Sequence, residues 1–195
     1  DVIEMRHDAL SLLIETSLQV GKYDEAIEYL NNYHFRRWEG GGAIRDIYVD
    51  AFLMRGLNSF GNNNYENALE DFIQALQYPD NIQAAKSYHG GHQAQIHYFA
   101  GMTYEAMENQ AKASEHYKKA ISAKKGGHAS IQHYYEAQAL DQLDMEQKAH
   151  EIYLDIIRNG KNRLEQTSSL GFFAKFGEQE STDVQKANAH FLIGL

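Results

Sequence analysis

The 195-residue chain contains no cysteine and a single proline, and each scarcity excludes something. Without cysteine there is no disulfide, no zinc–thiolate site and no cysteine nucleophile. The absence of cysteine fits the cytoplasm but leaves the compartment open. Because Pro79 is the only proline, long uninterrupted helices are permitted almost everywhere in the chain.

Positive charge and long apolar runs are also scarce. The chain has 18 lysine and arginine residues against 27 aspartate and glutamate residues, which gives a formal net charge of −9. A nucleic-acid backbone would be repelled by this field, so we expect no nucleic-acid partner. No apolar run approaches the roughly 20 residues needed to cross a bilayer, so we expect no membrane partner.

Sequence motifs for catalysis and metal binding are missing as well. There is no Gly-x-Ser-x-Gly elbow for a serine nucleophile. The short histidine spacings around His89, His92 and His97, and around His128 and His133, match no strong zinc pattern. His97 and His133 occupy corresponding places in successive segments, which favours packing over metal binding. We therefore predict that the chain is not an enzyme and holds no metal or cofactor.

A helical-hairpin pattern recurs four times. In each copy an alanine follows a turn and opens a second helix, and a large apolar residue comes four positions later. The pairs are Ala26 with Leu30, Ala68 with Phe72, Ala113 with Tyr117, and Ala149 with Tyr153. This pattern predicts one all-α domain over 1–195 with hairpins at about 8–33, 44–78, 93–123 and 130–159. An irregular insertion is expected at 161–182, followed at 183–195 by the first helix of a truncated repeat.

The third hairpin resembles the tetratricopeptide repeat, a helix-turn-helix unit of about 34 residues. Gly101 stands where that family uses a small residue, and Tyr104, Ala113, Tyr117 and Ala120 follow at the family's spacing. The resemblance implies a right-handed superhelical stack of antiparallel hairpins, an α-solenoid, with inserted loops. The signature alanines are separated by 42, 45 and 36 residues, and the extra length falls between hairpins, at 34–43 and 79–92.

A narrower resemblance involves the segments at 35–41, 46–51 and 172–177. They are similar to the repeat-bearing C-terminal region of large bacterial proteins whose N-terminal part is β-rich and resembles carbohydrate-active enzymes. This similarity implies that the chain is a piece of a larger protein. The unpaired apolar helix expected at 183–195 favours the same interpretation, because such a helix needs a cap.

In the tetratricopeptide family, the first helix of each hairpin lines a concave groove. The resemblance places six residues in that groove: Leu53, Leu57, Tyr98, Met102, Tyr134 and Gln138. Tyrosine and methionine suit protein recognition because they bury a large area and adapt in shape. The alternative is that the insertions fold back and fill the groove.

The only tryptophan precedes a glycine run, and two interpretations of this loop stay open. In the first, Trp38 is an anchor and Glu39 a hydrogen-bond acceptor for a partner. In the second, Trp38 is a hydrophobic plug beside a loop that needs unusual backbone angles. The run is not a phosphate-binding loop, because no Gly-Lys-Ser or Gly-Lys-Thr follows it.

These observations favour a non-catalytic module for protein–protein interaction or intramolecular scaffolding within a larger bacterial protein. Its partner would be a protein or peptide, including another domain of the same polypeptide. A second hypothesis is an accessory region of a carbohydrate-active enzyme that contributes to a sugar-binding site with a missing domain. A third is a homodimer formed through the terminal helix around Phe191 and Leu192.

Overall fold

The computed structural model describes residues 7–35, 43–77, 79–82, 91–126, 129–169 and 182–195, which contain helices and no strand. The helices are α1 His7–Gln19, α2 Tyr23–Asn32, α3 Ala43–Gly61, α4 Tyr65–Ala75, α5 Gln93–Ala106, α6 Gln110–Ser122, α7 Ile131–Asp141, α8 Glu146–Ser169 and α9 Thr182–Gly194. A 3₁₀ turn covers Asp80–Ile82. Consecutive helices pack as hairpins, and each hairpin packs on the next. The predicted all-α helical-repeat solenoid is confirmed.

The same turn closes all four hairpins. Each turn has one residue with a left-handed backbone: Gly21 (φ 78°), Asn63 (φ 60°), Glu108 (φ 59°) and Asp144 (φ 58°). The next amide then donates to the carbonyl five residues earlier, as between Lys22 and Ser17 at 2.8 Å and between Asn109 and Tyr104 at 2.8 Å. This is the Schellman arrangement for ending a helix. Because the turn is constant, the irregular repeat spacing arises between hairpins and not inside them.

Two glycines let the helices of a hairpin approach closely. A Cβ placed on Gly56 would lie 2.6 Å from Cε1 of Phe72, and one on Gly101 would lie 2.6 Å from Cε1 of Tyr117. The aromatic ring therefore occupies the space that a side chain would need. In both hairpins, the short distance between the paired helices therefore depends on an aromatic ring packed against a residue without a side chain.

The apolar core is continuous through the first three hairpins. Its largest cluster contains buried side chains of α1 to α5, from Leu10 to Ala100. Phe72 of α4 stacks on Phe99 of α5 with ring centroids 5.8 Å apart, which joins the second hairpin to the third. Smaller clusters form the rest of the stack, between α5, α6 and α7 and around α8.

An ion-pair network joins the first two hairpins. Arg55 of α3 donates from Nε and Nη2 to the Asp71 carboxylate, at 3.0 and 2.6 Å, and from Nη1 to Asp24 at 2.7 Å. Asp71 is buried, with 3% of its surface exposed. The hydrogen bonds to Asp71 raise the pKa of Arg55, so the guanidinium remains charged. Such a bidentate, partly buried pair fixes the relative position of α3 and α4.

The expected irregular insertion at 161–182 is wrong over its first part, because α8 continues to Ser169. The second half of α8 packs on α9, as the two helices of a hairpin do. Gly160 permits this approach: a Cβ there would lie 2.6 Å from Cγ1 of Ile193 and 3.1 Å from the carbonyl oxygen of Ala189. The segment at 170–181, with the aromatic residues of 172–177, lies outside the described residues.

Among the helices of the described ranges, none is both long enough and apolar enough to span a membrane.

Candidate partner-binding face

The first helices of the second, third and fourth hairpins carry the sequence-predicted residues in one register. Leu57, Met102 and Gln138 each lie six residues before the left-handed residue of their turn. The helices α3, α5 and α7 contact one another in that order. The side chains at these positions therefore form a row across neighbouring helices. We call Leu57, Met102, Tyr134 and Gln138 the first-helix face.

The members of the first-helix face are accessible to different extents. Leu57 has 39% of its surface exposed. Met102, Tyr134 and Gln138 are half-buried. A surface of this kind offers apolar area to a partner without being sealed inside the fold.

Two other predicted groove residues are buried. Leu53 is 3% exposed and belongs to the main core cluster, so it offers no surface to a partner. Tyr98 is 8% exposed, and its ring lies within 5.4 Å of the Tyr135 ring and 6.0 Å of the Tyr117 ring, centroid to centroid. Tyr98 is covered by Tyr117 of its own hairpin and Tyr135 of the next one, and Leu53 by the other side chains of the main core cluster.

The remaining predicted positions are the tryptophan loop and the closely spaced histidines. Trp38 and Glu39 lie outside the described residues. His92 Nε2 lies 3.3 Å from Asp46 Oδ1, and the His133 ring lies 3.1 Å from the Ser130 hydroxyl. His89 and His128 also lie outside the described residues, and within those residues no group of three or more histidine, aspartate or glutamate side chains could hold a metal ion.

A chain of hydrogen bonds runs from α5 through α7 to α8. The Tyr98 hydroxyl donates to Gln138 Oε1 at 3.3 Å, and Gln138 Nε2 donates to the Tyr153 hydroxyl at 2.9 Å. The Tyr153 hydroxyl donates in turn to Asp141 Oδ2 at 2.9 Å. Burial raises the pKa of Tyr98, and burial together with the Asp141 hydrogen bond raises the pKa of Tyr153. Both phenols therefore stay protonated, and every donor in the chain points towards the Asp141 carboxylate.

Two carboxylates beside the first-helix face were not predicted from the sequence. Glu105 accepts a hydrogen bond from the Tyr117 hydroxyl at 2.7 Å, and Asp141 accepts the bond from Tyr153. Each follows three residues after a member of the first-helix face, Glu105 after Met102 and Asp141 after Gln138. Extending the repeat register by one helical turn would have found both carboxylates.

Two adjoining cavities open between α7, α8 and α9. The first is about 380 Å³ and is lined by Gln138, Asp141, Tyr153, Ile156, Ile157, Leu192 and Leu195. The second is about 420 Å³ and is lined by Asp141, Glu146, Gln147, His150 and Tyr153. Because they share Asp141 and Tyr153, the two cavities form one depression, which we call the terminal cleft.

Residues 94–126 match the family model of the tetratricopeptide repeat, and this range covers nearly all of α5 and the whole of α6. No curated protein and no solved structure matches the chain significantly.

Proposed function

We propose, from the premise that residues 94–126 form a tetratricopeptide repeat, that the chain is a non-catalytic module for protein–protein interaction or scaffolding. Tetratricopeptide repeats generally mediate contacts between proteins, and stacked hairpins present an extended surface instead of a deep catalytic pocket. The ligand is therefore a protein or peptide.

The observation that carries this proposal is the first-helix face. Leu57 and Met102 occupy the same register on adjacent helices and keep part of their surface accessible. Tyr134 lies beside them with its ring 6.1 Å from that of Tyr153, centroid to centroid. Tyrosine is enriched among the residues that dominate the binding energy of protein interfaces, the methionine thioether adapts to the partner's shape, and leucine adds apolar area.

The partner segment belongs either to a separate protein or to another domain of the same polypeptide. The resemblance of 35–41, 46–51 and 172–177 to the repeat-bearing region of large bacterial proteins supports the second choice. In that arrangement the chain is a scaffold that holds the neighbouring domain against the first-helix face.

The test compares proteins retained from a lysate of the source cells by the wild-type chain and by the double variant Leu57→Glu/Met102→Glu. The matched control is Ile73→Glu/Leu154→Glu, which adds the same charge at exposed apolar positions on the second helices α4 and α8. Any retained protein is then purified and titrated against all three chains. We expect the double variant to weaken binding at least about tenfold, which corresponds to about 1.4 kcal/mol.

Equal affinity of the double variant and the control would contradict the use of the first-helix face. A glycan array probed with the same chains tests the sugar-site alternative. Binding to oligosaccharides without any protein ligand would contradict the interaction module and favour an accessory carbohydrate site.

Self-association through α9 is a second choice of partner. Phe191 is 55% exposed, whereas Leu192 is 5% exposed and packs with Ile156, so only Phe191 is available at the surface. Light scattering of the wild-type chain and of Phe191→Glu tests it. A dimer that becomes a monomer in the variant supports this choice, and a wild-type monomer at all concentrations contradicts it.

A further inference from the structure

We infer that the terminal cleft recognises a peptide segment in which a lysine or arginine lies close to an aliphatic side chain. This inference rests on the proposed function and specifies the chemistry of the partner. It concerns the α7–α8–α9 end of the stack. The terminal cleft shares Gln138 with the first-helix face, but Leu57 and Met102 do not line it.

One half of the terminal cleft is apolar. Ile157 of α8 and Leu195 just after α9, both half-buried, line a cavity of about 380 Å³, and Ile156 packed on Leu192 forms its floor. This volume is within the range of about 300–1,000 Å³ that is typical of ligand sites. Removing an aliphatic side chain from water into this half stabilises a complex through the hydrophobic effect.

The other half of the terminal cleft is acidic. Asp141 and Glu146 line it, and no lysine or arginine lines either cavity. Among the ion pairs of the described residues, none involves either carboxylate. His150 is the only lining side chain that can become cationic. Low-dielectric walls focus the field of such carboxylates, so the cleft attracts a cation and repels an anion.

The Asp141 carboxylate is held in place before any ligand arrives. Its Oδ2 atom accepts the hydrogen bond from Tyr153, which is itself held by Gln138. In the described part of the chain, no hydrogen bond engages Oδ1. A preorganised carboxylate binds an ammonium or guanidinium group without the entropic cost of ordering its own side chain.

The two halves meet at Asp141 and Tyr153, which line both cavities. A segment that places an aliphatic side chain between α8 and α9 therefore brings its neighbouring residues to the carboxylates. If one of these neighbours is basic, the segment occupies the apolar half and the acidic half at once. An acidic neighbour would be repelled, and a short polar one would leave the carboxylates desolvated without a partner.

The experiment selects phage-displayed random dodecapeptides on the whole immobilised chain and measures the selected peptides by fluorescence anisotropy. We expect peptides with a lysine or arginine within a few positions of leucine or isoleucine. Asp141→Asn should weaken them about tenfold, because a hydrogen bond to a charged group is stronger than one to a neutral amide. Glu146→Gln should weaken them less and reduce the dependence on salt.

The matched control is Glu151→Gln, which makes the same change of charge at an exposed position of α8 outside both cavities. Asparagine at position 141 keeps an oxygen that can accept the Tyr153 hydrogen bond, so we expect that variant to fold. Circular dichroism and thermal unfolding check this, and Glu146→Gln replaces it as the decisive variant if Asp141→Asn unfolds.

Selected peptides without a basic residue, or with equal affinity for Asp141→Asn and Glu151→Gln, would overturn the inference. If such peptides lose binding to Leu57→Glu/Met102→Glu instead, the proposed function stands and only the terminal cleft is refuted. If no peptide is selected at all, the inference fails, and the lysate experiment decides the proposed function separately.

Discussion

Individual residues in the hairpin turns determine where each helix pair closes. The left-handed backbone at Gly21 suits a residue without Cβ, and asparagine and aspartate tolerate it at the second and fourth turns. Glu108 is the exception, because it adopts a φ of 59° without belonging to any of the residue types that favour this region.

Replacing Glu108 with glycine should therefore stabilise the chain. The variant relieves a left-handed strain of about 1–2 kcal/mol, partly offset by the greater entropy of glycine in the unfolded chain. We expect the free energy of unfolding to rise by about 0.5–1 kcal/mol, measured by urea unfolding. Gly21→Ala is the reverse case and should lower stability. A lower free energy of unfolding for Glu108→Gly would contradict the strain assigned to the backbone of residue 108.

Two half-buried histidines form the most unusual residue pair of the third hairpin. The rings of His97 and His116 meet edge to face, 5.3 Å apart between centroids. In the described part of the chain, Nδ1 of each ring is buried without a hydrogen-bond partner. Burial, His116 and Lys119 lower the pKa of His97 to about 4, and burial and Lys119 lower the pKa of His116 despite the opposing charge of Glu115.

This pair predicts that the chain loses stability in mild acid. The unfolded chain takes up protons near pH 6.5, before the folded chain does, so the stabilising effect is complete above that pH and declines as the pH falls towards about 4. We expect the free energy of unfolding to fall by about 1–3 kcal/mol between about pH 7 and pH 4.5. Urea unfolding at several pH values measures this.

The variant His97→Phe tests the cause. It keeps an aromatic ring in the same place and loses no hydrogen bond from Nδ1, so its stability near neutral pH should change little. Its loss of stability in acid should be smaller than that of the wild type. His190→Gln, at an exposed position of α9, is the control and should leave the loss unchanged. An equal loss in His97→Phe would refute the assignment.

At the scale of elements, the distance between two paired helices is set by which residue faces the aromatic ring. Gly101 faces Tyr117, whose ring is 2% exposed and whose hydroxyl is held by Glu105. The ring therefore cannot move aside to admit a methyl group. Gly160 likewise lets α8 and α9 approach closely, although the side chain that it faces is Ile193.

Gly101→Ala should consequently destabilise the chain although alanine is the better helix former. The added Cβ would come within 2.6 Å of a fixed ring carbon, a cost of about 1–3 kcal/mol that exceeds the gain of about 1 kcal/mol in helix propensity. Gly61→Ala is the matched control, since nothing lies within 4 Å of its Cβ at the end of α3. Thermal unfolding should show a lower midpoint for Gly101→Ala and an equal or higher one for Gly61→Ala. Equal midpoints for the two variants would show that α5 and α6 can move apart to admit the methyl group without loss of stability.

For the whole molecule, stability is expected to be uneven along the stack. The main cluster joins five helices, α1 to α5, whereas α9 is attached through a small cluster of Ala129, Ile156 and Leu192 with a few half-buried neighbours. A terminal element with contacts on one side opens more easily than an interior one, because repeats are stabilised by their neighbours.

Hydrogen exchange followed by mass spectrometry tests this gradient. We expect amides of α3 and α4 to exchange most slowly and those of α9 to exchange fastest among the helices of the described ranges. The variant Leu192→Ala should accelerate exchange in α9 and the second half of α8 without affecting α3. Protection of α9 as strong as that of α3 would mean that the stack unfolds as a single unit.

Much of the candidate site was predictable from the sequence because repeats share a register. The residues Leu57, Met102, Tyr134 and Gln138 were found by their place in the hairpin and remain accessible. Leu53 and Tyr98 occupy equally regular positions, yet side chains of other helices bury them. Register identifies the helix face on which a residue lies, whereas its exposure depends on a second helix distant in sequence.

The sequence alone determined the helical class and the four hairpin turns, because these features depend on local spacing and on residue size. Only the tertiary structure decided that α8 extends to Ser169 and pairs with α9, and that Asp141, Tyr153 and Leu195 line the same cleft. Leu195 is far from Asp141 and Tyr153 in the chain, and no local pattern encodes the distance between them. They meet because the packing of whole helices, governed by the close contact at Gly160, brings them together.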